Sequence, residues 1–435
     1  MSMSLKRVLL LLLSAGMLVC FGGCSLFHPE SELIAPPSDS ADNQALRKAF
    51  QDACGEGVRY KSPVSGAYLS SFVVEDLDAD GEKEAMVFYT KDMFASHICV
   101  ALLEKRSGEW NYVQSVESGG TGIGSVEIRD LNSDGKNEIL FFLENQDEKL
   151  LSIYACQDSP FGAQCVLEET PYSSLLLSDL NGDGNTEIFT VAVSAVTGPQ
   201  AAMRRLTAGG VQRLDWRKLD REITSFGELF SQKQAQETVF YTDAVRTDGT
   251  MITQIICWNA QTDTLSVPFL DAQTRTMTQT ARSADIACRD INGDGAPEIP
   301  CQSALPFSEI WRSGTKSTES FYQTDWCVFQ DGALLPVRKT LLDTESGWMF
   351  TIPQSWENRF TICAYPADHK WNFYETGRYG TQQYLGSVMF DVQQSGYALL
   401  CSDGAHSVYC CGINQTSALQ VSTELLSQAF AHMAQ

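Results

Sequence analysis

Basic residues are scarce in this chain of 435 residues: 31 Lys and Arg stand against 54 Asp and Glu, a formal net charge of −23. So acidic a surface repels nucleic acid and favours cations, which removes nucleic acid from the partner classes. Histidine is sparser still: His28, His97, His369, His406 and His432 are scattered and read as surface residues rather than as a site. The chain has no H-E-x-x-H, no P-loop, no G-x-S-x-G and no S-x-x-K with its partner motifs, so the common zinc-peptidase, nucleotide and serine-nucleophile chemistries lack their residues. No C-x-x-C occurs among the 14 cysteines, so neither a zinc ribbon nor a thioredoxin-type dithiol is supported. Gly120, Gly122 and Gly124 mimic a phosphate loop but lead into a strand pattern and read as a turn.

The N-terminus has the order of an exported leader, with Lys6 and Arg7, an apolar run over 8–19 and small residues before Cys24. The run is too short to cross a bilayer securely as a helix. Phe21-Gly22-Gly23-Cys24 resembles the lipobox of bacterial lipoproteins, with Phe21 where Leu is usual. The resemblance implies a signal peptide over 1–23, diacylglycerol on Cys24, and a chain anchored by lipid to the extracellular face of the cell membrane. Residues 24–43 hold His-Pro and Pro-Pro without apolar periodicity and read as a flexible stalk. Without Cys20 and Cys24, twelve cysteines remain, an even number that in an exported chain invites disulfides. Cys156 with Cys165 and Cys288 with Cys301 are spaced to bridge hairpins, yet connectivity is not legible in sequence and buried thiols serve equally as small hydrophobes.

A repeat organises the rest. Asp76-Leu77-Asp78-Ala79-Asp80-Gly81-Glu82-Lys83-Glu84 returns as Asp130-Leu131-Asn132-Ser133-Asp134-Gly135-Lys136-Asn137-Glu138. It returns again as Asp179-Leu180-Asn181-Gly182-Asp183-Gly184-Asn185-Thr186-Glu187 and as Asp290-Ile291-Asn292-Gly293-Asp294-Gly295-Ala296-Pro297-Glu298. The offsets are 54, 49 and 111 residues, so one degenerate copy is expected in the last interval, and Asp243 to Gly249 is the candidate. β-rich runs flank every loop, which places each in a hairpin. In the second repeat four strands are traced, over 125–131, 138–144, 149–156 and 164–169. Four strands per period of about fifty residues is the pattern of a propeller blade.

The expected fold is therefore mainly β: a β-propeller-like array of about five four-stranded blades with a small C-terminal α+β domain. The expected division is 44–342 for the repeats, opened by a helix over 44–54, and 343–435 for the C-terminal domain, closed by a helix over 422–434 with Ser422 as N-cap. The stretch Phe350-Thr351-Ile352-Pro353-Gln354-Ser355-Trp356 resembles a domain recurrent in lipoproteins of Gram-positive gut bacteria. Trp371, Phe373 and Tyr374 beside His369 are read as core in preference to a sugar-stacking platform. Vicinal Cys410 and Cys411, on a strand, should place one thiol inside and one outside.

The loop residues point to calcium, a hard cation that takes six to eight oxygens at flexible geometry. Positions 1, 3 and 5 offer Asp76, Asp78 and Asp80; Asp130, Asn132 and Asp134; Asp179, Asn181 and Asp183; Asp290, Asn292 and Asp294. Glycine at position 6 allows the sharp turn, and position 7 (Glu82, Lys136, Asn185, Ala296) offers a backbone carbonyl. Position 9 (Glu84, Glu138, Glu187, Glu298) returns to close the shell. No loop contains Cys or His, which argues against zinc or copper. About four Ca²⁺ ions are expected, bound most tightly by the first loop with its extra carboxylate. An EF-hand would place its Glu at position 12 and continue into a helix. These loops resemble the FG-GAP or VCBS repeats, including the integrin α-subunit propeller, which implies a calcium ion under each outer hairpin and no catalytic residues in the loops.

The function expected from these features is a membrane-anchored extracellular calcium-binding protein with a binding or scaffold role toward a protein or glycan. The alternative is an extracellular polysaccharide hydrolase or lyase using a carboxylate pair on a propeller face. The lack of a catalytic constellation favours the first.

Overall fold

The computed structural model describes residues 40–433 apart from 56, 92–96, 147, 159, 236, 284–285 and 378–379. The leader 1–23, Cys24 and the stalk as far as residue 39 lie outside the described residues. The chain divides into two compact units. One holds the described part of Met1–Ser62 with Ser70–Asp76 and Asp80–Glu117; the other holds Pro63–Leu69, Leu77–Ala79 and the described part of Ser118–Gln435.

The first unit opens with a helix, Ala41–Cys54, that takes in residues 41–43 of the expected stalk. Ser40 is its N-cap and accepts from the Asn43 amide at 3.1 Å, satisfying one of the amides a helix start leaves unpaired. Leu46 and Phe50, one turn apart, are its buried residues, and they pack on Ala85, Val87, Tyr89, Cys99 and Leu103. Those residues belong to an antiparallel sheet of Arg59–Tyr60, Phe72–Glu75, Glu84–Thr90, Ile98–Arg106 and Glu109–Ser118. Glu84–Thr90 is buried along its whole length, which is why it reads as a continuous apolar run after its leading glutamate.

Four-stranded antiparallel meanders then follow one another in the second unit, and the protein is mainly β with a propeller-like fold. The first meander is Gly122–Arg129, Glu138–Asn145, Glu148–Asp158 and Phe161–Tyr172, close to the four strands traced from the sequence. The next is Ser174–Ser178, Glu187–Ser194, Gly198–Thr207 and Gly210–Lys218. A third is Ile223–Gln234, Glu237–Arg246, Thr250–Asn259 and Thr264–Ser266, with Arg282–Ser283 added beside Thr250–Asn259. Neighbouring meanders are joined by packing such as the Phe189–Phe240 stack, with ring centroids 3.7 Å apart.

The second and third Asp-rich loops join the first strand of a sheet to its second; the first joins Phe72–Glu75 to Glu84–Thr90, and the fourth is closed by the isolated bridge of Arg289 with Glu298 just before Ile299–Ala304. Where the degenerate copy was expected the structure differs: Asp243 lies inside the strand Glu237–Arg246, and Asp248 and Gly249 turn its second strand into its third. The joint equivalent to an Asp-rich loop in that sheet is the tight hairpin closed by Gln234 opposite Glu237. That joint carries none of the Asp-rich pattern. A buried ion pair instead stiffens this sheet: Arg282, 0 % exposed, meets Asp243 at 2.6 Å, and Asp243 also accepts from the Cys288 amide at 2.7 Å.

Sheet pairing crosses residue 343, where a domain boundary was expected. Ile299–Ala304, Tyr322–Gln330 and Ala333–Asp343 continue through Trp348–Thr351 to the C-terminal strand Phe430–His432. Between Ala304 and Tyr322 the chain leaves this sheet, and Glu309–Arg312 pairs in parallel with Phe360–Tyr365. That strand belongs to a seven-stranded sheet with Thr315–Lys316, Lys370–Thr376, Gln382–Phe390, Ser407–Cys411 and Ala398–Ser402. The last helix spans only Thr423–Ala429, capped by the Ser422 hydroxyl accepting from Leu425 N at 3.1 Å. It stops short of the expected 434 because Phe430 is drawn as a strand into an aromatic core with Trp348, Phe350, Trp356, Phe373 and Phe390. Trp371 and Phe373 are buried there and are core, whereas Tyr374 is half-buried and packs against Tyr384. Cys410 is buried and Cys411 half-buried, as strand alternation requires.

Candidate metal-binding loops

Each loop is built by its own carboxylates capping its own amides. The position-1 carboxylate accepts from the position-6 glycine: Gly81 N to Asp76 at 3.0 Å, Gly135 N to Asp130 at 2.9 Å, Gly184 N to Asp179 at 3.0 Å and Gly295 N to Asp290 at 2.8 Å. The position-5 carboxylate accepts from position 7, with Glu82, Lys136, Asn185 and Ala296 amides 2.8–2.9 Å from Asp80, Asp134, Asp183 and Asp294. The turn needs two residues of positive φ. Position 6 is glycine throughout, at 85–96°. Position 4 is Ala79 at 64°, Ser133 at 57°, Gly182 at 83° and Gly293 at 81°, so glycine at 182 and 293 meets a backbone demand that Ala79 and Ser133 satisfy with strain of the order of 1 kcal/mol.

The glutamate at position 9 stands at the start of the strand that follows its loop and is buried: Glu84, Glu138, Glu187 and Glu298 are 4, 2, 0 and 0 % exposed. In the last three loops it turns back to accept from the amide of position 2, Leu131 N at 2.9 Å, Leu180 N at 2.8 Å and Ile291 N at 2.8 Å. Position 2 thus has a role that the ligand pattern overlooks. Its signal was visible as an apolar residue in every copy: Leu77, Leu131 and Leu180 are buried, and the side chain holds the loop's base in the core while the amide serves the glutamate.

Carboxylate gathering differs between loops. Asp290, Asp294 and Glu298 each bring an oxygen within 4.8 Å of the others. In the first loop Asp76 and Glu84 meet the same limit, and Asp78 between them in sequence is 4 % exposed. In the second, third and fourth loops an asparagine amide meets part of the charge, with Asn132 Nδ2 3.0 Å from Asp134, Asn181 Nδ2 2.9 Å from Asp183 and Asn292 Nδ2 2.9 Å from Asp294. The third loop also recruits Arg205, whose Nε lies 2.9 Å and whose terminal nitrogen lies 2.8 Å from Glu187 Oε1. Nothing in the loop motif signals Arg205; it arrives from the third strand through the register Glu187 opposite Arg205. The second and third loops touch, Thr186 N donating to Leu131 O at 2.7 Å.

Burial sets the electrostatics. It pushes Glu138 up to about 7, aided by the charges of Asp134 and Asp130 and opposed by the Leu131 amide. Burial likewise raises Glu187, against the pull of the Leu180 amide and Arg205, and raises Glu298, with Asp294 and Asp290 adding to the effect. A buried carboxylate among carboxylates is relieved either by a proton or by a cation. The donor set fits a hard divalent cation: it is all oxygen, preorganised by backbone amides, and contains no thiol or imidazole.

A cleft of about 520 Å³ runs beside the second loop, lined by Asn132, Asp134, Lys136 and Glu138 with Gln157 and Gln164. Two histidines read as scattered come together elsewhere: His406 and His432 stack with centroids 4.4 Å apart, and their Nδ1 atoms meet Asp391 at 2.9 Å and Asp403 at 3.1 Å.

No protein-family model matches the chain, and no curated protein matches it. Solved structures similar to it include the β-propeller domain of the Trilobed protease from Pyrococcus furiosus, at 9 % identity over 76 % of this chain and 95 % of that one, TM-score 0.26. Others are the polysaccharide lyase Uly1, at 10 % identity over 86 % and 96 %, TM-score 0.28, and a thermostable family-43 glycoside hydrolase, at 12 % identity over 64 % and 96 %, TM-score 0.25. At these scores neither activity nor substrate transfers to this chain.

Proposed function

We propose that the chain is a membrane-anchored extracellular lipoprotein whose propeller-like sheets, stiffened by calcium in FG-GAP or VCBS-type loops, present a surface for binding or scaffolding a protein or glycan. The observation that carries this reading is the convergence of Asp290, Asp294 and Glu298 oxygens within 4.8 Å in a loop whose amides already face its carboxylates. Asp76, Asp78, Asp80 and Glu84 would hold the ion of the first loop, with the corresponding residues of the other loops holding theirs. The ion would neutralise carboxylates that otherwise repel one another, so its role is structural. Arg205 gives the third loop an internal cation, which ranks that loop lowest in calcium affinity. The leader and Cys24 supply the membrane link through their resemblance to a lipobox.

The state of the buried acids outside the loops supports binding over hydrolysis. Asp220 and Asp243 are the buried ones among the described residues, and each is neutralised by an arginine, Arg246 and Arg282. A glycosidase pair needs a carboxylic acid and a carboxylate facing a substrate cleft.

Calorimetric titration of residues 25–435 with calcium, with thermal unfolding in chelator and in calcium, tests the proposal. Several bound ions and a marked loss of stability on chelation are expected. No binding at millimolar calcium would reduce the loops to polar turns and remove the proposal's basis.

A further inference from the structure

Ile299–Ala304 and Tyr322–Gln330 are antiparallel neighbours in the register Ile299 opposite Cys327 and Cys301 opposite Asp325. Side-chain alternation puts all four on one face, so Cys301 and Cys327 are diagonal neighbours there. Each sulfur lies over the carbonyl two residues back on its own strand, Cys301 3.8 Å from Ile299 O and Cys327 3.5 Å from Asp325 O. The thiols are near enough for each to shift the other's ionisation. Cys327 is 4 % exposed, whereas Cys301 is half-buried and open to a reagent.

We propose that Cys301 and Cys327 are a disulfide-forming pair, closed by thiol–disulfide exchange, that cross-links the strand following the fourth Asp-rich loop to its neighbour. The Cys301 thiolate attacks one sulfur of an external disulfide, forming a mixed disulfide and releasing one thiol. Cys327 then loses its proton and attacks the Cys301 sulfur, expelling the second thiol. Two cysteine thiols become one disulfide, and their two electrons and two protons leave on the two thiols of the reagent. The order follows from the environment: the interaction with Cys327 holds the Cys301 thiol below its ordinary value, while the same interaction and burial push Cys327 up.

The position gives the bridge a purpose. It closes the root of the excursion in which Glu309–Arg312 leaves this sheet to pair with Phe360–Tyr365, and it lies just beyond Glu298. A link there ties the two sheets' shared segment to a fixed base. The sequence offered Cys288 with Cys301 as one spacing around the loop and left the connectivity open. Cys257 and Cys288 instead sit in a dry core with Val239, Ile255 and Ile299, each 4 % exposed, and burial pushes both thiols up, Cys257 to about 12. They are the internal control, inert where Cys301 reacts.

The test is oxidation of the reduced protein, residues 25–435, with glutathione disulfide under native conditions, then alkylation in denaturant and peptide mass mapping. The expected product is one peptide pair joined through Cys301 and Cys327, lighter by two hydrogens, with Cys257 and Cys288 alkylated. C327S should trap Cys301 as its glutathione adduct, while C301S should leave Cys327 reduced. Recovery of Cys301 and Cys327 both alkylated, or of Cys301 joined to Cys288, overturns the proposal, and the wild-type mapping decides this even if a variant fails to fold. Oxidation and mapping are both run in chelator, so the outcome is independent of whether the loops bind calcium.

Discussion

Replacing Glu138 by glutamine should change stability in opposite directions with and without calcium. Burial raises Glu138 from 4.5 to about 7, so in the calcium-free protein its folded-state value lies above its unfolded one. The associated stability is fully present below the unfolded value and is lost as pH rises through about 7. At pH 8 the folded chain holds an ionised carboxylate at a cost of about 3 kcal/mol relative to the unfolded chain. Glu138→Gln removes that charge while its amide oxygen can still accept from Leu131 N, so the variant should gain about 3 kcal/mol in chelator at pH 8 and under about 1 kcal/mol at pH 5. In saturating calcium the order reverses, because the wild type keeps an anionic ligand that the variant lacks. Urea unfolding followed by tryptophan fluorescence at both pH values, in chelator and in calcium, measures all four differences. A variant less stable than wild type in chelator at pH 8, or a gap that ignores pH, would refute the buried-carboxylate argument.

Two further substitutions separate the roles of cations already in the chain. Arg205→Ala leaves Glu187, 0 % exposed, without its guanidinium and should cost about 3 kcal/mol in chelator, less in calcium if the ion takes over the charge; equal losses in both buffers would show that the third loop takes no ion. Arg282→Met strands Asp243 in the sheet that has no metal loop, and should cost about 3–5 kcal/mol whatever the calcium concentration. Calcium-dependent loss in that variant would contradict the assignment of Arg282 as this sheet's substitute for a loop.

The Asp-rich loops were legible because their geometry is local. The bonds from the residue-6 and residue-7 amides to the Asp carboxylates span two to five positions, so the spacing Asp-x-Asp/Asn-x-Asp-Gly suffices to define them, and the strand patterns on either side place them in hairpins. The same locality made the strands of the second repeat readable to within a few residues. Asp243 misled because an Asp-Gly turn has the same composition whichever pair of strands it joins; only register shows that it lies one hairpin too late and that Gln234 opposite Glu237 closes the relevant joint.

Local chemistry, then, determined the loops, the alternation of strands and the caps at Ser40 and Ser422, all of them interactions within a few residues of chain. Tertiary structure decided what reaches across: Arg205 onto Glu187, His406 onto His432, Cys301 onto Cys327, and the C-terminal strand onto Trp348–Thr351. Each of these depends on strand register or on the packing of distant segments, and a shift of one residue along a strand would send the same side chain to the opposite face.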